Sequence, residues 1–282
     1  METIVPELTS FLPPGENPLQ IALIESLDYA KELAEMLPNS KIYIIKADAY
    51  ELENLNATGN IEKINLDYTE TPLPLEKNSL DYIIGDLLLE NVGNPQDIAS
   101  GLGTYLKETG ILLTSFRNIR YIGVIKDLME GDYFFVARRL YAKREFERLL
   151  AACFYKDVRM KSQKGKVDKK ERDLIKRLEK AEFENVDEEL EAAFYMVEAA
   201  KSMPEIRLLK SMYSKETRKR LGKLVRRIEF DAGREEAIVE LEKLCQKEGV
   251  FEDYLTDFIK QACFDYEQVL KIIKQSYKIT QK

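Results

Sequence analysis

From residue 19 to about 160, short apolar runs alternate with amphipathic stretches. That alternation is the pattern of an α/β domain with a mostly parallel sheet. The runs predict strands at Leu19–Ile24, Lys41–Ile45, Ile61–Leu66, Leu80–Gly85 and Gly110–Ser115, with a weaker one near Val158–Met160. Between the first two, Ala30, Leu33, Ala34 and Leu37 recur at helical spacing and stop before Pro38, which predicts a helix over Tyr29–Leu37. Further helices are expected over Pro95–Leu106, closed by the turn Glu108-Thr109-Gly110, and over Lys143–Ala152, where Phe146, Leu149 and Leu150 share a face.

Beyond Lys161 the pattern changes. Pro204 is the one proline between Val167 and Tyr277, and apolar residues keep a helical period through segments broken near Asn185, Pro204, Asp231-Ala232-Gly233 and Gly249. An all-α C-terminal domain of about five to seven helices is expected. The sequence therefore divides into an N-terminal extension (1–14), an α/β domain (15–160) and an α-helical domain (161–282). The apolar stripes Ile238/Leu241/Leu244 and Phe251/Tyr254/Leu255/Phe258 suit an intramolecular bundle, and they also suit a protein partner or a homodimer.

Charge divides along the same boundary: residues 1–160 carry a net −9 and residues 161–282 a net +2. Basic residues crowd into Lys156–Lys180 and Lys215–Arg227, where they could contact phosphates or form a solvated helix face. The net charge of −7 argues against a nucleic-acid partner. No apolar run is long enough to span a membrane and the start lacks a signal-like core, so a cytoplasmic protein without a membrane partner is expected. Three cysteines without C-x-x-C spacing are expected to be buried and reduced, and no metal site is expected. The absence of histidine removes Ser-His-Asp and Cys-His nucleophile systems, imidazole bases and His-ligated metals, leaving carboxylates, Lys, Tyr and positioning.

One stretch carries a resemblance. Leu66-Asp67-Tyr68 is followed by Pro72-Leu73-Pro74-Leu75, by Ser79-Leu80-Asp81-Tyr82-Ile83-Ile84-Gly85-Asp86 and by Leu89-Glu90-Asn91. Then come Tyr105-Leu106-Lys107-Glu108-Thr109-Gly110, the strand Ile111–Ser115, Arg117-Asn118-Ile119-Arg120 and Tyr141–Phe146. This succession resembles class I S-adenosylmethionine-dependent methyltransferases, in the branch found with bacterial glycan and glycosyltransferase systems. The resemblance covers roughly residues 19–160 and implies a doubly wound, mostly parallel, Rossmann-like sheet.

The departure falls in the cofactor loop. The family's glycine-rich turn after the first strand lets backbone pass close to the cofactor, and here Glu25, Leu27 and Tyr29 stand where those glycines would be. Lys46 replaces the ribose-binding carboxylate at the end of the second strand, with Asp48 two residues on; a lysine donates and cannot accept from two hydroxyls. By position, Glu25, Ser26, Lys46, Asp48, Asp67 and Asp86 would face S-adenosylmethionine, if it binds. Glu90 and Asn91 would sit near the acceptor, with Glu90 the candidate base, and Arg117, Asn118 and Arg120 could hold an anionic or sugar substrate.

Each residue also has an ordinary structural role open to it. Glu90 could start a helix, Asn91, Asp67, Ser26 and Asp28 could cap turns or helices, and Arg117, Asn118 and Arg120 could be surface loop residues. Tyr121, Tyr133, Phe134 and Phe135 could form a lid or pack core. Three functions follow. The leading one is a binding or scaffold module with a degenerate cofactor site, in glycan or glycosyl modification. The alternatives are an active methyltransferase on a small-molecule or sugar acceptor, and a nucleotide or sugar-nucleotide binder.

Overall fold

The computed structural model describes residues 7–12, 14–55, 60–132 and 137–280, without the side chains of 205, 208, 209, 211 and 277–280. The chain divides into two compact units, Met1–Met203 and Pro204–Lys282.

In the first unit the strands are β1 (Gln20–Ile24), β2 (Lys41–Lys46), β3 (Ile61–Asn65), β4 (Leu80–Gly85), β5 (Leu106–Arg117), β6 (Asp157–Lys164) and β7 (Ala192–Ala200). They form one sheet in the order β3-β2-β1-β4-β5-β7-β6. β1 to β5 are parallel, and β7 runs antiparallel between β5 and β6. The helices are α1 (Ala30–Met36), α2 (Ala49–Asn54), α3 (Pro95–Gly103), α4 (Ile122–Glu130), α5 (Lys143–Ala152) and α6 (Lys169–Lys180).

Strand periodicity explains the double winding. Ala22, Ile24, Tyr43, Ile45 and Ile83 face one apolar layer with Ala99 and Leu102 of α3 and Phe146 and Leu150 of α5. Their neighbours Ile21, Leu23, Ile42, Ile44 and Ile84 face the other, with Ala30 and Leu33 of α1 and with Leu8 and Leu12 beside a short 3₁₀ turn. Both faces are covered, which is why the central strands are continuous apolar runs. The edge strand β6 instead carries exposed Arg159, Lys161 and Ser162, which discourage pairing with another chain.

The expected helix Pro95–Leu106 ends at Gly103, and its expected closing turn Glu108-Thr109-Gly110 lies within β5. Residues 192–200 form the strand β7, although the C-terminal part was expected to be all helical. The expected boundary at 160/161 falls inside β6, and the first unit runs on to Met203, because β7 completes the sheet. Between β6 and β7, α6 begins with a capping box in which Asp168 and Glu171 each accept the other's backbone N–H. Ile175 of this helix packs with Ile122 and Leu190 in a small separate cluster.

The second unit contains α7 (Pro204–Met212), α8 (Lys215–Glu229), α9 (Arg234–Glu248), α10 (Glu252–Ala262) and α11 (Tyr266–Thr280). With α6, six helices follow residue 161 among the described residues. Leu221, Val225 and Ile228 pack against Ala237, Leu241 and Leu244, and then against Leu255, Ile259 and Val269. Phe251, expected in an apolar stripe, is exposed at the start of α10 while Tyr254 and Leu255 are buried. All three cysteines are free and buried, as expected.

Candidate functional site

In an open parallel sheet, ligand crevices lie beyond the carboxyl ends of the strands where the strand order reverses, here between β1 and β4. Glu25 leaves β1 in the left-handed conformation, at φ +54°. That backbone region favours glycine. One carboxylate oxygen of Glu25 accepts the Ala47 N–H at 2.8 Å, and the other meets Lys46 Nζ at 3.1 Å. Lys46 also pairs with Glu51 at 2.9 Å. The Glu25 side chain therefore crosses to the end of β2 and ties the two strand ends together.

Ser26, expected as a possible helix cap, makes no capping bond to the turn that follows it. Its hydroxyl donates to Ile24 O at 2.9 Å and accepts the Asp86 N–H at 2.8 Å, linking the ends of β1 and β4. Tyr29 is buried in the same apolar layer as Leu8 and Leu33, and Leu27 packs against that layer. Burial, then Asp86, raises the pKa of the Tyr29 phenol.

Asp86 accepts a hydrogen bond from the Ser115 hydroxyl, which itself accepts the Leu87 N–H at 2.9 Å. Burial raises the Asp86 pKa, opposed by the Ser115 bond. Deeper still, Glu90 is wholly buried: it accepts the Arg117 backbone N–H and pairs with the Arg117 guanidinium at 2.8 Å. Ser26, Asp86, Glu90 and Arg117 are thus brought together around the ends of β4 and β5.

The remaining expected site residues are held apart from this group. Asp48 caps α2, accepting from Tyr50 N and Glu51 N, and exposed Asp67 closes a local turn on Thr69. Asn91 is exposed and accepts from Arg138 N at 3.4 Å. Asn118 is fully buried, its amide donating to the carbonyls of Glu189 and Ala192 at 2.8 and 2.9 Å. Arg120 pairs with Glu189 at 2.9 Å and lies over the Phe183 ring. Asn118 and Arg120 thus fasten the end of β5 to the segment entering β7. Tyr121 packs against the Ile122/Ile175/Leu190 cluster and donates to Lys166 O at 2.9 Å. Tyr133, Phe134 and Phe135 lie outside the described residues.

Desolvation pushes Glu90 up from 4.5 to about 7, against the downward pull of Arg117. A carboxyl whose folded pKa exceeds its unfolded value binds protons on folding, so its stabilising contribution is complete below 4.5 and is lost as pH rises through 7. At 1.36 kcal/mol per unit this is on the order of 3 kcal/mol. Urea unfolding should therefore show wild type losing stability relative to Glu90→Gln between pH 5 and 8. Parallel pH profiles for the two proteins would contradict this assignment.

No protein-family model matches the chain, and no curated protein matches it. Among solved structures, the chain is similar to a SAM-dependent methyltransferase from Archaeoglobus fulgidus, with 13% identity, 68% of this chain and 90% of the other covered, and a TM-score of 0.50. It is also similar to an S-adenosylmethionine-dependent methyltransferase from Mesorhizobium loti, with 14% identity, 68% and 94% coverage and a TM-score of 0.48. A third is the CMeT domain of the citrinin polyketide synthase, with 14% identity, 70% of this chain covered and a TM-score of 0.47. The chain spans half the length of that structure. The fold of the first unit is the Rossmann-like methyltransferase fold, and a helical C-terminal unit follows it.

Proposed function

We propose that the α/β unit is a methyltransferase-fold binding or scaffold module whose S-adenosylmethionine seat has degenerated, working in a glycan- or glycosyl-modification setting. The observation that carries this reading is the Glu25 bridge. Its backbone keeps the left-handed turn that a glycine loop uses, while its side chain spans from the end of β1 to Ala47 and Lys46 at the end of β2. A ribose hydroxyl pair needs an acceptor at that strand end, and the carboxylates there are already engaged, Glu25 by Lys46 and the Ala47 N–H and Asp48 by the N–H groups of Tyr50 and Glu51. The residues present do not fit the cofactor's usual seat.

The burial of Tyr29 and the packing of half-buried Leu27 support the same reading, since apolar packing rather than open backbone follows the turn. Catalysis by Glu90 has less support. Its raised pKa suits an acid or base, yet its carboxylate is wholly buried and both oxygens are bonded to Arg117.

Calorimetric titration of the purified chain with S-adenosylmethionine and S-adenosylhomocysteine tests the proposal. No binding tighter than about 1 mM is expected for either. Micromolar affinity would overturn the reading and direct attention to an acceptor. A thermal-shift series with nucleotides and sugar nucleotides tests the remaining alternative, because a ligand present well above its Kd raises Tm.

A further inference from the structure

The helical unit carries a charged face that its own packing does not use. Lys215, Lys219, Lys223 and Arg226 on α8 are all exposed, and among the described residues none of them forms an ion pair. Their neighbour Arg227 differs, being paired with Glu236 and Glu240. At 3.6 residues per turn the four cations and Phe230 fall within an arc of about 80°, along a line of about 22 Å. The buried face, Leu221, Leu224, Val225 and Ile228, lies on the opposite side of the helix.

The stripe ends in two exposed rings. Phe230, the C-cap of α8, is 65% exposed, and Phe264 is 88% exposed. Glu229 holds Phe264 at this end of α8 by accepting its backbone N–H at 2.6 Å and that of Asp265 at 2.8 Å. Of the acidic groups nearby, Asp231 pairs with Arg234 at 3.3 Å, Asp265 accepts from Gln268 N, and Glu216 is exposed beside Lys215.

We propose that this face of α8 docks peripherally on an anionic phospholipid surface. Lys215, Lys219, Lys223 and Arg226 would meet the headgroup phosphates, and Phe230 and Phe264 would enter the headgroup–acyl boundary. A straight row of unpaired cations ending in apolar side chains matches a flat, negatively charged and apolar-backed surface, which draws each basic group and each ring in the same approach. A nucleic-acid strand is a poorer fit, because stacking of successive bases calls for rings spaced along the cationic track, and here both rings lie at one end of it. The proposal is independent of the reading of the α/β unit.

The test is co-sedimentation of the full chain with vesicles of equal parts phosphatidylglycerol and phosphatidylcholine, and with phosphatidylcholine alone. Partition onto the anionic vesicles is expected to be at least tenfold stronger at about 50 mM salt and to collapse at about 500 mM, where charge is screened within a few ångströms. Lys219→Glu/Lys223→Glu should reduce binding at least tenfold with an unchanged melting profile. If that pair alters melting, Lys219→Gln/Lys223→Gln replaces it. Phe230→Ser/Phe264→Ser should weaken binding several-fold while leaving its salt dependence. Equal binding to both vesicles, no binding to either, indifference to charge reversal, or tighter binding to poly(U) than to anionic vesicles would each overturn the proposal.

Discussion

Phe116→Ala is expected to lower the stability of the α/β unit by about 3–5 kcal/mol, the range for removing a large aromatic from a packed core. Phe116 is fully buried near the end of β5 and stacks between Phe146 at 4.3 Å and Tyr195 at 5.2 Å, with Tyr141 edge-on at 6.2 Å. One ring thus joins β5 to α5, to β7 and to the bridge at Tyr141. For a unit of this size the loss corresponds to a fall in Tm of roughly 10 °C. Phe116→Leu, which keeps much of the volume, should cost less than half as much. Equal effects from the two substitutions would mean that ring stacking, not volume, sets the energy.

The second large effect is expected at Asn118. Asn118→Ala removes the donor to the Glu189 and Ala192 carbonyls and the acceptor that the Arg120 N–H uses at 3.0 Å. Buried groups left unpaired cost about 1–3 kcal/mol each, partly relieved by local relaxation, so a net loss of about 3–4 kcal/mol is expected. Asn118→Asp should be at least as damaging, since it turns the donor into an oxygen facing two carbonyls. Chemical denaturation of both variants checks this. A surface residue that merely met a substrate would change stability by less than about 0.5 kcal/mol when replaced.

The central strands were legible because they are buried on both faces. β1, β2 and β4 stand within one residue of the apolar runs that predicted them, and β4 matches at both ends. β5 begins four residues earlier than expected because Leu106 pairs with Leu80 before an irregularity in the ladder. The turn residues Glu108-Thr109-Gly110 hid that extension. β7 was unreadable for a different reason: Ala-Ala-Phe-Tyr-Met-Val-Glu-Ala-Ala is rich in good helix formers. Two flanking strands, one about 80 residues earlier in sequence, override that propensity.

The site was legible in part. Asp86 and Glu90 lie just beyond the end of β4, a place that the apolar run Leu80–Gly85 marks in the sequence. The destination of the Glu25 side chain depends on a pairing with Lys46 across two strands, which no local pattern encodes. Glu189 likewise is not visible in the sequence as the partner of Arg120, because the apolar pattern places the segment that carries it in a helical bundle.

The insertion of β7 between β5 and β6 also sets an order of events at the ribosome. When β6 has emerged, the place it will occupy still lacks its neighbour, and β5 presents an unpaired edge until Ala200 is available. At about 5–20 residues per second, synthesis of the roughly 36 residues that separate the ends of the two strands takes about 2–7 s. During that interval the nascent chain displays one apolar and one basic strand with open backbone groups. A chaperone that binds extended apolar segments would find its target in this window, before the last strand is released.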